Sequence, residues 1–125
     1  MSSIKGKHIL ITGGASGIGF LMGRQALNHG AQKLIIWDID EQRLSEATDK
    51  LPSNSGQVHT YNIDVSDPDQ VYQTASNVLE KHSRVDILIN NAGVVTGKNF
   101  AQHSREDIEN TIGVNLLAAM HTTRA

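Results

Sequence analysis

The sequence contains no cysteine, only two prolines, and no excess of charge of one sign. The absence of cysteine excludes disulfides, a thiolate nucleophile and a cysteine-ligated zinc site, and a cytoplasmic location is the resulting expectation. Eleven basic and thirteen acidic side chains give a net charge of −2. Because no block of like charge stands out, nucleic acid and acidic membrane surfaces are poor candidates as partners.

Long hydrophobic runs are missing as well. No apolar run approaches the ~20 residues of a membrane span, and the first residues do not resemble a secretory leader, so neither is expected. The six histidines are scattered, with none three or four residues from another, and we therefore expect no metal site. With 38% apolar and 19% charged residues, the 125 positions have the composition of a folded chain, and we expect residues 1–125 to form one domain.

Four short runs predict β-strands at residues 8–12, 34–37, 57–62 and 85–89. The first, second and fourth are almost wholly apolar, which is typical of strands buried on both faces of a parallel sheet. The third mixes polar with apolar side chains, so we expect it at a sheet edge.

Two helices are predicted in the first half of the chain. Ile18, Leu21, Met22 and Ala26 keep a spacing of three or four that predicts a helix over 17–29. Asp40 is a plausible N-cap for a second helix, which ends before the surface loop predicted at 52–56.

Capping signals predict two further helices. Asp67, Pro68 and Gln70 combine an N-cap, a proline at the first helical position and a capping glutamine. That helix is expected to turn Val71, Ala75, Val78 and Leu79 inward. A capping-box pattern at 104–107 begins the last helix, which is expected to run to the C-terminus with Ile108, Ile112, Asn115, Leu116 and Ala119 on one stripe.

Strands that alternate with helices indicate right-handed βαβ units. The sequence therefore predicts a doubly wound α/β fold with a parallel sheet.

A glycine-rich segment, Thr-Gly-Gly-Ala-Ser-Gly-Ile-Gly at 12–19, lies between the first strand and the first helix. There, free backbone N–H groups and the helix dipole favour a phosphate, and glycine lets a pyrophosphate approach the backbone. Asp38 follows Gly19 by 19 residues, close to the ~20 typical of an acid that binds the adenosine ribose. The negative charge of Asp38 repels a 2′-phosphate and therefore favours NAD over NADP. Neither Ser16 nor Ile39 supplies a cation that would offset this repulsion. Arg43 is expected to lie well inside the second helix.

These features resemble the short-chain dehydrogenase/reductase family, whose cofactor motif is Thr-Gly-x-x-x-Gly-x-Gly. Residues 12–19 match it throughout, and further landmarks follow in the family's order: Asp38, Asp64-Val65, 90–93 and Val114-Asn115. The resemblance implies a Rossmann-type sheet with strand order 3-2-1-4. It covers only the front half of that fold, which would leave the fourth strand at an open edge.

The motif and the resemblance together assign residues to an NAD site. They are Thr12, Gly13, Ser16, Gly17, Ile18, Gly19, Asp38, Asp64, Val65, Asn91, Ala92 and Gly93. The resemblance implies that Asp64 and Val65 meet the adenine, and that the Asn-Asn-Ala-Gly loop steadies the sheet beside the cofactor. Without the family resemblance, Asp38 and Asp64 could be simple turn residues.

The family's catalytic tetrad is Asn, Ser, Tyr and Lys, and the resemblance implies that Asn115 is its asparagine, holding a water of the proton relay. The other three members are absent, because neither Tyr61 nor Tyr72 is followed four residues later by lysine. The intact protein would move hydride between nicotinamide and a secondary alcohol or carbonyl compound, whereas the 125-residue chain alone is expected to be inactive.

Several alternatives stay open at this point. The chain could be an N-terminal fragment, a truncated gene product or a short noncatalytic NAD-binding or interaction module, and a homo-oligomer through the last helix is possible. The loop at 91–98 looks somewhat like the branch acting on retinoids and hydroxysteroids, and Lys98 and Phe100 could line a pocket there.

Overall fold

The computed structural model describes residues 3–52 and 57–125, so most of the loop predicted at 52–56 lies outside the described residues. Strands and helices alternate along the first ninety residues, and helical segments follow. In chain order they are β1 (His8–Thr12), α1 (Gly17–Asn28), β2 (Lys33–Asp38), α2 (Glu41–Lys50), β3 (Val58–Asn62), α3 (Pro68–His82), β4 (Ile87–Asn90), a 3-10 turn (Phe100–Gln102), α4 (Arg105–Ile112), a π-helical turn (Gly113–Leu117) and α5 (Ala118–Arg124).

The four strands form one parallel sheet in the order β3-β2-β1-β4, which confirms the predicted fold. Side chains alternate between two faces. Ile9 and Ile11 pack with α1 and α2 on one face, whereas Leu10, Ile35 and Trp37 pack with α3 and α5 on the other. Helices therefore cover both faces, and β3 lies at an edge as predicted.

The predicted caps are present. The Asp40 carboxylate accepts a hydrogen bond from the Arg43 N–H, and Asp67 accepts from the N–H groups of Asp69 and Gln70. Ser104 and Asp107 form a reciprocal capping box. These local signals fixed where three helices begin, because each satisfies backbone donors that the first turn leaves unpaired.

The inward face of α1 matches the predicted one only at Ala26, which is buried, and at Met22, which packs against the core. Ile18 is 72% and Leu21 is 48% exposed, and the buried residues are Gly19, Gly23, Ala26 and Leu27. A Cβ at Gly23 would lie 3.0 Å from a Leu34 methyl group. Thus α1 approaches the sheet closely at its glycines. The spacing of apolar residues in the sequence does not indicate this close approach.

One strand boundary and one burial prediction were wrong by a smaller margin. β4 begins at Ile87 instead of residue 85, because the Asp86 carboxylate accepts the His8 N–H at 2.8 Å in place of a strand carbonyl. On α3, Val71, Ala75 and Val78 are buried as predicted, but Leu79 is 44% exposed.

The predicted last helix is interrupted by the π-helical turn. Its supposed inward stripe is exposed at Ile108, Ile112 and Leu116. Ala118 and Thr122 of α5 are buried instead. The wide turn at Gly113–Leu117 shifts the helical register, so that one periodic stripe cannot stay on one face.

Candidate functional site

A cleft of about 470 Å³ lies at the carboxyl ends of the strands, where ligands of open parallel α/β sheets bind. Of the predicted cofactor residues, those lining it are Gly13, Ser16, Asp38, Asp64, Val65, Asn91, Ala92 and Gly93. Thr12, Gly17, Ile18 and Gly19 are outside this lining, as is Asn115.

The glycine-rich loop needs glycine for two different reasons. Gly13 and Gly17 have φ values of +65° and +56°, in the left-handed region that favours glycine. At Gly19 the reason is space, since a Cβ would overlap the Gly13 carbonyl oxygen and lie 2.5 Å from Asn91 Nδ2. Gly19 thus lets α1 approach the end of β1 and does not itself reach the cleft.

Thr12 and Asn91 join the loop after β1 to the loop after β4. Thr12 Oγ1 accepts hydrogen bonds from the N–H groups of Asn91 and Ala92, each at 3.1 Å. Asn91 Nδ2 donates to the carbonyls of Thr12 (3.2 Å) and Gly13 (3.1 Å). These two side chains therefore hold the loop after β1 and the loop after β4 against each other.

Asp38 lies at the end of β2 with both carboxylate oxygens engaged by backbone. Oδ2 accepts the Ala15 N–H and Oδ1 accepts the Asp40 N–H, both at 3.1 Å. Each oxygen has a second lone pair, so the carboxylate can still accept hydrogen bonds from a ligand. The contact to Ala15 ties the acid to the glycine-rich loop.

Arg43 is not where the sequence placed it. Its Nη1 lies 3.4 Å from Ser16 Oγ, and the residue lines the cleft beside Asp38. Position 43 is only the third residue of α2, and its long side chain crosses the gap to the loop.

Asp64 shapes the turn after β3. Its Oδ1 accepts hydrogen bonds from the Ser66 N–H (2.9 Å) and Ser66 hydroxyl (2.6 Å). Val65 is nearly buried, whereas Ile39 is 67% exposed, and both line the cleft. Both residues present apolar surface at the end of the cleft where Asp38 lies.

The Asn115 amide is paired with the Val94 backbone. Oδ1 accepts the Val94 N–H at 2.7 Å, and Nδ2 donates to the Val94 carbonyl at 2.9 Å. Asn115 lies in the π-helical turn and borders a small adjoining cavity of about 30 Å³ with Thr12 and Thr122. Thr122 Oγ1 is buried there with no described partner.

Lys98 and Phe100 do not line the main cleft. Lys98 Nζ pairs with Asp107 Oδ2 at 3.1 Å, and Phe100 is 78% exposed. The hydrogen bond from the Ser104 N–H lowers the pKa of Asp107 most, and the hydrogen bond from Lys98 lowers it further.

Sequence reasoning missed part of the lining. The residues concerned are Trp37, Ile39, Arg43, Ile63, Ser66, Val94, Asn110 and Val114. Ile39 carried a usable signal, because an isoleucine between two aspartates in a turn has no obvious packing role. The others reach the cleft only through the folded arrangement of the chain.

The cleft fits a dinucleotide on the evidence of its own residues. The glycine-rich loop leaves open space above Gly17, where an added Cβ would meet nothing within 4 Å. Trp37 Nε1 is a buried donor of the lining with no described partner. A glycine-rich loop before α1, an acid at the end of β2 and flanking apolar surfaces are together the features of a Rossmann-type nucleotide cleft.

Residues 7–125 match the family model of the short chain dehydrogenases, and the chain belongs to that family. It is 38% identical to human epidermal retinol dehydrogenase 2 over 98% of its length, and 37% identical to human estradiol 17-beta-dehydrogenase 11 over 98%. A short chain dehydrogenase/reductase from Burkholderia phymatum, solved with NAD, superposes with a TM-score of 0.90 at 34% identity over 99% of this chain.

The chain spans 40% and 41% of the length of those two human relatives and 44% of the Burkholderia structure. Its match is therefore to part of each. Within residues 3–52 and 57–125, no helix is long and apolar enough to cross a membrane.

Proposed function

We propose that the cleft binds NAD, and that this chain is the NAD-binding part of an oxidoreductase acting on a secondary alcohol or its carbonyl counterpart. The observation that carries the proposal is the contact between Asp38 and the glycine-rich loop, at 3.1 Å from Ala15 N, in one cleft with Asn91 and Gly93. Bound NAD would supply the hydride acceptor.

Different residues of the chain bind different parts of NAD. Backbone N–H groups around Gly13 and Gly17 face the diphosphate at the N-terminus of α1. Asp38 accepts hydrogen bonds from the adenosine ribose hydroxyls, and Ile39 and Val65 flank the adenine. Thr12, Gly19 and Asn91 support this loop through the contacts described above.

We propose that NAD is preferred over NADP by at least about tenfold, or ~1.4 kcal/mol, because Asp38 faces the position of an added 2′-phosphate. Titration of NADH and NADPH fluorescence with the purified chain measures the preference directly. Replacing Asp38 by alanine together with Ile39→Arg should narrow or reverse it. Equal affinities in the wild type would contradict this role for Asp38.

Asn115 is proposed as a positioning residue of the proton relay. Both ends of its amide are used by Val94, so a relay water would bind a backbone carbonyl of the π-helical turn. Single π-helical turns within helices are frequent at functional sites, which supports this position for the relay water. Asn115 would then hold the loop after β4 against that turn.

The substrate class proposed for the intact protein is a retinoid or hydroxysteroid. The loop at 91–98 supports it, as do the two human relatives named for retinol and estradiol. Oxidation of retinol, which is a primary alcohol, of hydroxysteroids and of small polar alcohols by a longer protein containing this sequence tests the proposal. Activity confined to small polar alcohols would contradict it.

A noncatalytic NAD-binding or interaction module is the second candidate. The exposed apolar stripe at Ile108, Ile112 and Leu116 favours it, because contiguous apolar surface often marks an interface. Sedimentation velocity with Ile112→Glu, against Thr111→Glu as a neighbouring control, tests association through the last helix. A monomer at every concentration would remove this candidate's support.

A further inference from the structure

The turn after β2, residues 38–40, carries two side chains that line the main cleft. They are Asp38 and Ile39. Ile39 is 67% exposed, so packing against the core does not hold it in place. Asp38 Oδ1 accepts the Asp40 N–H at 3.1 Å, which closes the turn on one side. A turn held by that bond alone would lose conformational entropy when a ligand ordered it.

Asn62, the last residue of β3, closes the other side of this turn. Its Nδ2 donates to the Ile39 carbonyl at 2.9 Å and to the Asp38 carbonyl at 3.2 Å. An amide oxygen cannot donate to a carbonyl, so the nitrogen is the atom that faces the turn. The two contacts can use both hydrogens of the amide, and they join positions that are 23 and 24 residues apart.

The strand register accounts for these contacts. β3 pairs in parallel with β2, and Asn62 lies opposite Asp38 in the ladder. The Ile63 N–H then donates to the Asp38 carbonyl at 2.9 Å. β2 and β3 therefore end side by side, and the Asn62 side chain extends the hydrogen bonding by one residue, onto the Ile39 carbonyl beyond the end of β2.

Asn62 itself is outside the lining of the main cleft. Because it contacts the backbones of two residues that do line the cleft, any effect of Asn62 on a bound nucleotide passes through the turn. Holding the turn in one conformation before the nucleotide arrives reduces the entropy lost on binding.

We propose that Asn62 is a positioning residue for the adenosine half of the dinucleotide. Its amide holds the turn at 38–40 so that the Asp38 carboxylate and the Ile39 side chain stay at the cleft. This inference rests on the proposed NAD site. In the sequence Asn62 is only the last residue of an edge strand, and its contacts require the folded sheet.

Asn62→Leu tests the proposal, because leucine has the same number and branching of side-chain heavy atoms but no N–H donor. The full chain is titrated with NADH by fluorescence and with ADP-ribose by calorimetry. ADP-ribose carries the adenosine and both phosphates but no nicotinamide. Both affinities should fall by about three- to tenfold, which corresponds to one ordinary hydrogen bond. Asn62→Gln keeps the amide donors and should recover part of the loss.

Thr60→Val is the matched control. Thr60 is exposed on the same strand two residues earlier and is outside the lining of the main cleft. The substitution likewise replaces a polar side chain by an apolar one of the same branching. It should change neither affinity. Asn62→Ala is a second variant that tests the proposal if Asn62→Leu fails to fold by circular dichroism.

Two further measurements separate positioning from a general structural role. In a double-mutant cycle, the loss of NADH affinity caused by Asn62→Leu should be smaller in an Ile39→Ala background than in the wild type, because Asn62 acts through that turn. Hydrogen exchange should be faster at the Asp40 amide in Asn62→Leu, whereas Ile35 and Ile36 within β2 stay as protected as in the wild type.

Three results would overturn the proposal: unchanged NADH affinity in a folded Asn62 variant that lacks the amide, an equal loss in Thr60→Val, or additive losses in the cycle. A wild type that binds neither NADH nor ADP-ribose would overturn the proposed function itself, and this inference with it. The titration of the wild type therefore distinguishes the two failures.

Discussion

Acidification should destabilise the fold through His82, which lies in the last turn of α3 and is 2% exposed. Its Nδ1 is 3.3 Å from Lys33 Nζ, and its Nε2 is 3.0 Å from the Tyr61 hydroxyl. An ammonium group can only donate, so Nδ1 is the acceptor and Nε2 carries the hydrogen that Tyr61 accepts. The ring of His59 packs against it with centroids 4.3 Å apart. Protonation would place a charge on Nδ1 beside a lysine.

Burial, followed by the nearby His59, Lys33, Lys81 and His8, lowers the pKa of His82 from 6.5 to about 4. The dipole at the C-terminus of α3 favours the imidazolium, but by less than these effects. Because the folded-state pKa is below the unfolded one, the unfolded chain binds more protons between pH 4 and 6.5. Stability is therefore complete above pH 6.5 and falls as the pH drops toward 4, by a total on the order of 3 kcal/mol.

Urea unfolding at several pH values between 4 and 7.5 measures this loss. The single tryptophan, Trp37, is fully buried in β2 and reports unfolding by fluorescence. His82→Gln keeps a donor and an acceptor but does not titrate, so its free energy of unfolding should depend less on pH than that of the wild type. His29→Gln alters an exposed histidine and should behave as the wild type does. Parallel pH profiles for the wild type and His82→Gln would refute the reasoning.

Three further outcomes are expected. Gly19→Val should abolish NADH binding in fluorescence titrations, because a side chain there collides with the Gly13 carbonyl and Asn91. The circular dichroism spectrum should stay largely unchanged. Undiminished affinity for NADH would show that the glycine-rich segment is an ordinary turn. Asn115→Ala should lower the free energy of unfolding by about 1 kcal/mol through loss of its two hydrogen bonds to Val94, and an unchanged thermal midpoint would argue against that role. The purified chain should show no NAD-linked oxidation of secondary alcohols above background, since general acid–base catalysis typically supplies ~10²–10⁴ in rate and Tyr-x-x-x-Lys is absent. Turnover proportional to protein concentration and abolished by Asn115→Ala would contradict this.

The strands and helices were predictable individually because their signals are local. The apolar run at 8–12 and the caps at Asp40, Asp67 and Ser104 depend on residues a few positions apart, and the structure contains each of them. The strand order required the family resemblance as well. Local patterns determine which elements form, but not which strands are neighbours.

The errors occur where a distant contact decides the outcome. The face of α1 follows from how closely Gly19 and Gly23 let it approach the strands, and hydrophobicity does not record backbone proximity. The π-helical turn coincides with a contact between Asn115 and Val94, 21 residues apart. The reach of Arg43 to Ser16 depends on a rotamer that the sequence does not reveal.

The position of β1 in the middle of the sheet has a consequence for the order of folding. Its pairing with β2 joins residues such as Ile9 and Leu34, but its pairing with β4 joins Ile9 to Ile87. Closing the longer loop costs more entropy and must wait until residue 90 has been synthesised. The bonds from Asn91 to the carbonyls of Thr12 and Gly13 follow that closure. Nascent chains should thus gain the β1–β2 pair early, whereas the cleft at the carboxyl ends of the strands is among the last regions to assemble.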